Sequence, residues 1–146
     1  MLKHLTLRQR FISVIPEKLD PGVLYISMDY ATAAHSCCCG CGEEVVTPFT
    51  PTDWKMEFDG ESVSLHPSVG SWSLPCRSHY VVRRGKVIEA APWSEEQIEA
   101  ERSRDRAAKA AFYAPSHKPN PMEERSPNPS KEEAGAFTRF LKWLGL

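Results

Sequence analysis

The chain has 146 residues, enough for one modest domain. Its 18 basic and 19 acidic residues leave a formal net charge of −1, so no cationic excess exists to neutralise phosphates and nucleic acid is not an expected partner. Hydrophobic residues make up 41%, as suits a globular protein, but no apolar run reaches the ~18 residues that a membrane span needs.

In chain order, residues 1–10 carry Lys3, Arg8 and Arg10, with no apolar core or small-residue cleavage site behind them. No secretory signal is expected there, and the cytoplasm is the expected compartment. Residues 10–15 read as a short strand stopped by Pro16, and Pro21-Gly22 marks a turn. Residues 23–28 read as a second strand by their β-branched and aromatic content. Residues 29–42 show neither strand nor helix period and are expected to be a loop ordered by a bound ion. Residues 45–49 form a third strand. Trp54 to Phe58 alternates, Asp59-Gly60 follows, and residues 62–65 alternate again, which predicts a hairpin with Trp54, Met56 and Phe58 on one face. Residues 74–82 and 86–91 make a second hairpin around Arg84-Gly85. The expected fold is mainly β with α appendages: a small zinc-stapled β domain of about seven short strands over residues 1–93.

A helix is expected over 94–113. Ser94 and Gln97 have capping-box spacing, with Trp93 and Ile98 at the staple positions around the cap. Glu99/Arg102 and Asp105/Lys109 fall at helical contact spacings. Residues 114–134 hold five prolines among polar residues and read as a linker without a core of its own. Phe137, Phe140, Leu141 and Leu144 then repeat at helix spacing, so residues 135–146 are expected to be a short amphipathic helix that folds by docking.

Five cysteines dominate the chemistry. Four crowd into the run His35-Ser36-Cys37-Cys38-Cys39-Gly40-Cys41-Gly42, and the fifth opens Cys76-Arg77-Ser78-His79. In a reducing compartment such thiols favour a metal over disulfides. Thiolate ligands suit Zn2+, and a closed set of four makes a structural site. The preferred ligands are Cys37, Cys39, Cys41 and Cys76, with Cys38 pointing away. In a variant, His79 replaces one thiolate. A Rieske cluster is disfavoured because the first box runs His-x-Cys rather than Cys-x-His. Reduced thiols without an ion are the remaining alternative.

Serine and histidine lie beside these boxes, so acyl-transfer chemistry is open to them. On a strand, Ser78 and His79 point to opposite faces and cannot pair with each other. His35 with Ser78, or His79 with Ser68, are the workable couples. Asp53 either orients a histidine or caps its own turn, and His66, beside Pro67, reads as an exposed loop residue.

From His35 onward the sequence resembles a family of small bacterial Cys/His-rich proteins. The resemblance rests on the cysteine run, on Thr47-Pro48-Phe49-Thr50-Pro51-Thr52-Asp53-Trp54, on Phe58-Asp59-Gly60, and on Pro67-Ser68-Val69-Gly70-Ser71-Trp72 leading into Pro75-Cys76-Arg77-Ser78-His79-Tyr80. It covers roughly residues 10 to 100. Members of that family look to be encoded beside bacterial ubiquitin-like proteins and their activating and conjugating enzymes, in phage-defence operons. The resemblance implies a peptidase or deconjugase for a ubiquitin-like protein and marks His35, Ser68, Ser78 and His79 as candidate catalytic residues. Ser71 departs from the family, which more often has Asn there. Two other classes compete with the peptidase: a non-catalytic zinc module that recruits a conjugation enzyme, and a zinc hydrolase with an open coordination position.

Overall fold

The computed structural model of the chain describes residues 1–115. The linker expected from 114, beyond its first two residues, and the docking helix expected at 135–146 lie outside them. Four strands, β1 (Arg8–Phe11), β2 (Val23–Ser27), β3 (Thr32–Ser36) and β4 (Glu44–Pro48), form one sheet in that order. β1 runs parallel to β2, and the other pairs are antiparallel. β5 (Lys55–Phe58), β6 (Val63–Gly70), β7 (His79–Arg83) and β8 (Lys86–Glu89) form a second, fully antiparallel sheet.

The strand count therefore rises from seven to eight among the described residues. The addition is β3, inside the segment expected to be loop. Ala33, Ala34 and His35 are all buried, so β3 shows neither alternation nor the bulk that marks a strand. The first strand also moves, from 10–15 to Arg8–Phe11, because β2 supplies partners for those four residues. The first hairpin closes with a four-residue loop, since Phe58 faces Val63, and the Asp59 carboxylate accepts the amides of Glu61 and Ser62 at 3.0 and 2.7 Å. Arg84 and Gly85 form a true two-residue turn, with φ of 48° and 72° matched to the strand twist. His66 is exposed as expected, but it stands within β6 opposite Lys55 rather than in a turn.

One apolar core joins the sheets, with Leu24, Ile26 and Val45 from the first and Leu65, Tyr80 and Val82 from the second. Burying each such side chain contributes roughly 1.5–3 kcal/mol. A polar bond crosses this core, between His35 Nε2 and the Tyr80 hydroxyl at 2.7 Å. The N-terminal stretch ties the layers together: Val87 N–H donates to Leu5 and Leu7 N–H to Gly85 before the chain enters β1.

Helix α1 (Glu95–Tyr113) starts as its sequence dictates. Gln97 N–H donates to Ser94 Oγ at 3.3 Å, and Ser94 N–H donates to Gln97 Oε1 at 2.9 Å. Ile98 is its buried anchor. Lys109 reaches Asp53 at 2.8 Å and Asp105 at 2.9 Å, and Arg77 pairs with Glu95. Glu99 pairs with Arg106 at 2.9 Å rather than with Arg102.

Candidate active site and metal cluster

β3 runs directly into the cysteine run. Cys37 N–H donates to Glu43 and Gly40 N–H to Cys37, closing a tight loop in which Gly40 and Gly42 adopt φ of 84° and 87°. Those left-handed values favour glycine. The β6–β7 connection folds through turns from Ser71 to Leu74 and from Leu74 to Arg77, which deliver Cys76. The sulfurs of Cys37, Cys39, Cys41 and Cys76 lie within 4.8 Å of one another, so the cluster can hold a metal ion. Cys38 stands apart in the core, where burial pushes its thiol up to about 12. Burial alone would raise Cys76 as well, yet hydrogen bonds from Ser78 and the neighbouring thiols bring it down to about 7.

The structure separates two of the candidate catalytic residues from each other. Ser78 Oγ lies 3.1 Å from Cys37 Sγ and 3.5 Å from Cys76 Sγ, against the thiol cluster. His35 instead faces Tyr80 in the core, where burial lowers it to about 4 and leaves the ring neutral. His35 and Ser78 therefore do not form the couple that sequence allowed. The variant in which His79 replaces one thiolate fails too, because His79 lies outside the thiol cluster and both its ring nitrogens bond elsewhere.

Ser68 and His79 do meet. Leu65 faces Val82 and Val69 faces Tyr80, so β6 spends extra residues against β7. Such an irregularity re-aims side chains. Ser68, placed within it after the cis His66–Pro67 bond, puts Oγ 2.8 Å from His79 Nε2. His79 Nδ1 lies 2.8 Å from the Ala91 carbonyl oxygen. A carbonyl only accepts, so Nδ1 carries a proton, and in the neutral form of the ring Nε2 presents its lone pair to the Ser68 hydroxyl. Trp72 and Trp93 stack on each other at 5.4 Å, and their rings lie 5.0 and 5.1 Å from the imidazole. Trp72 also covers Gly70, where a Cβ would collide with the indole. Asp53 takes no part in orienting His79. Hydrogen bonds from Lys109 and Thr50 hold its carboxyl below the usual range.

A cavity of about 280 Å³ opens beside Ser68 and His79, walled by Trp54, Trp72, Trp93 and the charged face of α1. Sequence reading missed the Ala91 carbonyl and the indole pair. A backbone acceptor leaves no mark in residue type, and Trp93 already had a role as a helix staple.

A serine hydroxyl donating to an imidazole, whose far nitrogen is held by a fixed acceptor, is the core arrangement of serine hydrolases. Here it sits on a two-sheet β domain beside a four-thiol cluster that can hold a metal. Residues 11–90, more than half of the chain, match the family model of the bacterial ubiquitination-like system serine protease (BubE), and the chain belongs to that family. No curated protein and no solved structure matches it significantly. No helix of the described residues is long and apolar enough to cross a membrane.

Proposed function

We propose that the protein is a zinc-stabilised serine protease that cuts the tail of a bacterial ubiquitin-like protein, from its precursor or from conjugates, with Ser68 as nucleophile and His79 as general base. The 2.8 Å contact between Ser68 Oγ and His79 Nε2 carries this reading. Ser68 Oγ attacks the scissile carbonyl while its proton passes to Nε2. The imidazolium so formed keeps its Nδ1–H bond to Ala91 and faces the rings of Trp72 and Trp93, which favour a cation. His79 then returns the proton to the leaving amine, and a water deprotonated by the same nitrogen hydrolyses the acyl ester.

Zinc is the metal that best suits the thiol set. Tetrahedral Zn–S bonds of ~2.3 Å require sulfurs roughly 3.8 Å apart, and Cys37 lies 3.5 Å from Cys39 and 3.9 Å from Cys76. Four thiolates fill the coordination sphere, so the ion would staple the fold and would offer substrate no open position. That argues against a zinc hydrolase. In this reading the enzyme works in the cytoplasm, in a phage-defence setting, and residues 135–146 dock a conjugating enzyme.

The test is cleavage of a ubiquitin-like protein carrying a short C-terminal extension, followed by intact mass. Wild type releases the extension, and Ser68→Ala and His79→Ala do not. Cleavage that survives both substitutions, or a wild type that never cleaves, contradicts the proposal.

A further inference from the structure

The register of β4 against β3 decides which of its backbone groups are taken. Cys37 N–H donates to the Glu43 carbonyl at 2.8 Å, and Phe49 N–H to that of Ala31 at 2.7 Å. Bonded pairs recur at every second residue of an antiparallel ladder, so Val45 and Thr47 also turn their backbone to β3, while Glu44, Val46 and Pro48 turn theirs outward. The outward carbonyl of Pro48 accepts Trp54 N–H at 3.1 Å. Among the described residues, the outward groups of Glu44 and Val46 have no backbone partner, because β4 is the outer strand of its sheet. Val46 is 50% exposed. β8, an outer strand of the other sheet, is covered instead: Val87 N–H donates to Leu5, and Thr6 bridges to Lys86. A free strand edge is a template for pairing with another extended chain, and proteins ordinarily cover it. Along Glu44, Val45 and Val46 runs a second cavity of about 280 Å³, which shares Trp54, Gly70, Trp72 and Arg102 with the cavity at Ser68.

We propose that the polypeptide substrate binds as an extended strand added to β4, with one of its residues exchanging N–H and C=O bonds with Val46, and that this strand carries the scissile bond to Ser68. The proposal rests on the Ser68–His79 reading and deepens it. Both sides of the match are backbone, so the chemistry selected is an extended, unpaired chain rather than a particular side chain. A flexible tail meets it, whereas a folded segment has its own N–H and C=O groups already bonded. The occupant follows from the place, because the free edge opens on the cavity that continues to Ser68. A strand pairs on one side through alternate residues only. The substrate residue opposite Val46 and the one two places along, opposite Glu44, therefore bond to β4, and the residue between them does not.

The experiment is an N-methyl scan of the substrate. Wild type is given fluorogenic peptides copied from the ubiquitin-like tail, each with a single backbone N–H methylated away from the scissile bond, and kcat/KM is read for each. Two positions, with one residue between them, are expected to lose about tenfold, the worth of one hydrogen bond, while the residue between them loses little. Val46→Pro deletes an outward N–H that the sheet does not use, and it is expected to lose about tenfold on the unmodified peptide with its circular dichroism unchanged. Should that variant not fold, the scan on wild type decides alone. A uniform response along the peptide, or none, overturns the added strand. A flat scan together with a sedimenting dimer that Val46→Pro splits would give the edge to a second copy of this chain instead. Labelling of wild type by a small fluorophosphonate separates the two claims. Label on Ser68 with a flat scan, or with no peptide cleaved, overturns the strand alone, whereas no label overturns the serine reading and the strand with it.

Discussion

Two serines and two histidines compete for roles, and their surroundings separate them. Ser68 faces an imidazole, whereas Ser78 faces thiols. His79 aims Nε2 at a hydroxyl with Nδ1 held by the Ala91 carbonyl, while His35 spends Nε2 on Tyr80 inside the core. His35→Ala should therefore act on stability, at a cost of about 2–4 kcal/mol for a buried, bonded side chain. Denaturant melts should show that loss, while turnover per folded molecule stays within about threefold. A drop of several orders of magnitude in turnover at full folding would return His35 to the chemistry. In the sequence both couples were available, His35 with Ser78 and His79 with Ser68. Strand alternation ruled out the Ser78–His79 pair, but no residue pattern announces the irregularity in β6 that turns Ser68 toward His79.

Elements hold these residues in place through a few identifiable contacts. Gly70 lies beneath Trp72, and Trp72 packs on His79. Gly70→Ala would push the indole away, so catalysis should fall more steeply than stability, by about 10- to 100-fold in kcat/KM against a small shift in Tm. Helix α1 walls the cavity through Ile98 and through the Lys109 pair with Asp53. The Asp53 carboxyl is lowered in the fold, so its contribution is present above the ordinary carboxylate value of ~3.9 and is lost as pH falls through the folded value. Amide exchange in α1 should accelerate below that pH, and Lys109→Ala should remove this step. An unaltered profile in the variant would show that the ion pair does not hold the helix. The capping box and both hairpins were readable because turn and cap chemistry is local. β3 was not, because a short strand of alanines and histidine, buried along its length, lacks the period-two signal.

For the whole molecule, the four-thiol cluster and the Ser68–His79 pair are linked through the short segment Cys76–His79. Cys76 belongs to the thiol cluster and Ser78 rests against it, and His79 then opens β7 with its ring turned to Ser68. A bound ion would thus position the base by pinning the strand that carries it. Removing the metal with a strong chelator should unfold the β domain and abolish turnover together, with both returning on stoichiometric zinc. Loss of activity with the fold intact would instead indicate a metal that takes part in the reaction. Composition and spacing were enough to suggest a metal cluster, because four thiols in one loop have few other uses. They also set Cys38 apart as pointing away from the ion, and the structure has it in the core, outside the four-thiol cluster. The central claim is that Ser68, activated by His79, is the nucleophile. Its most direct test is mass spectrometry of the fluorophosphonate-treated protein. A single adduct on Ser68, absent in Ser68→Ala and slowed by about 10⁴-fold in His79→Ala, is the predicted result. An adduct on Ser78, or on no serine at all, would contradict it.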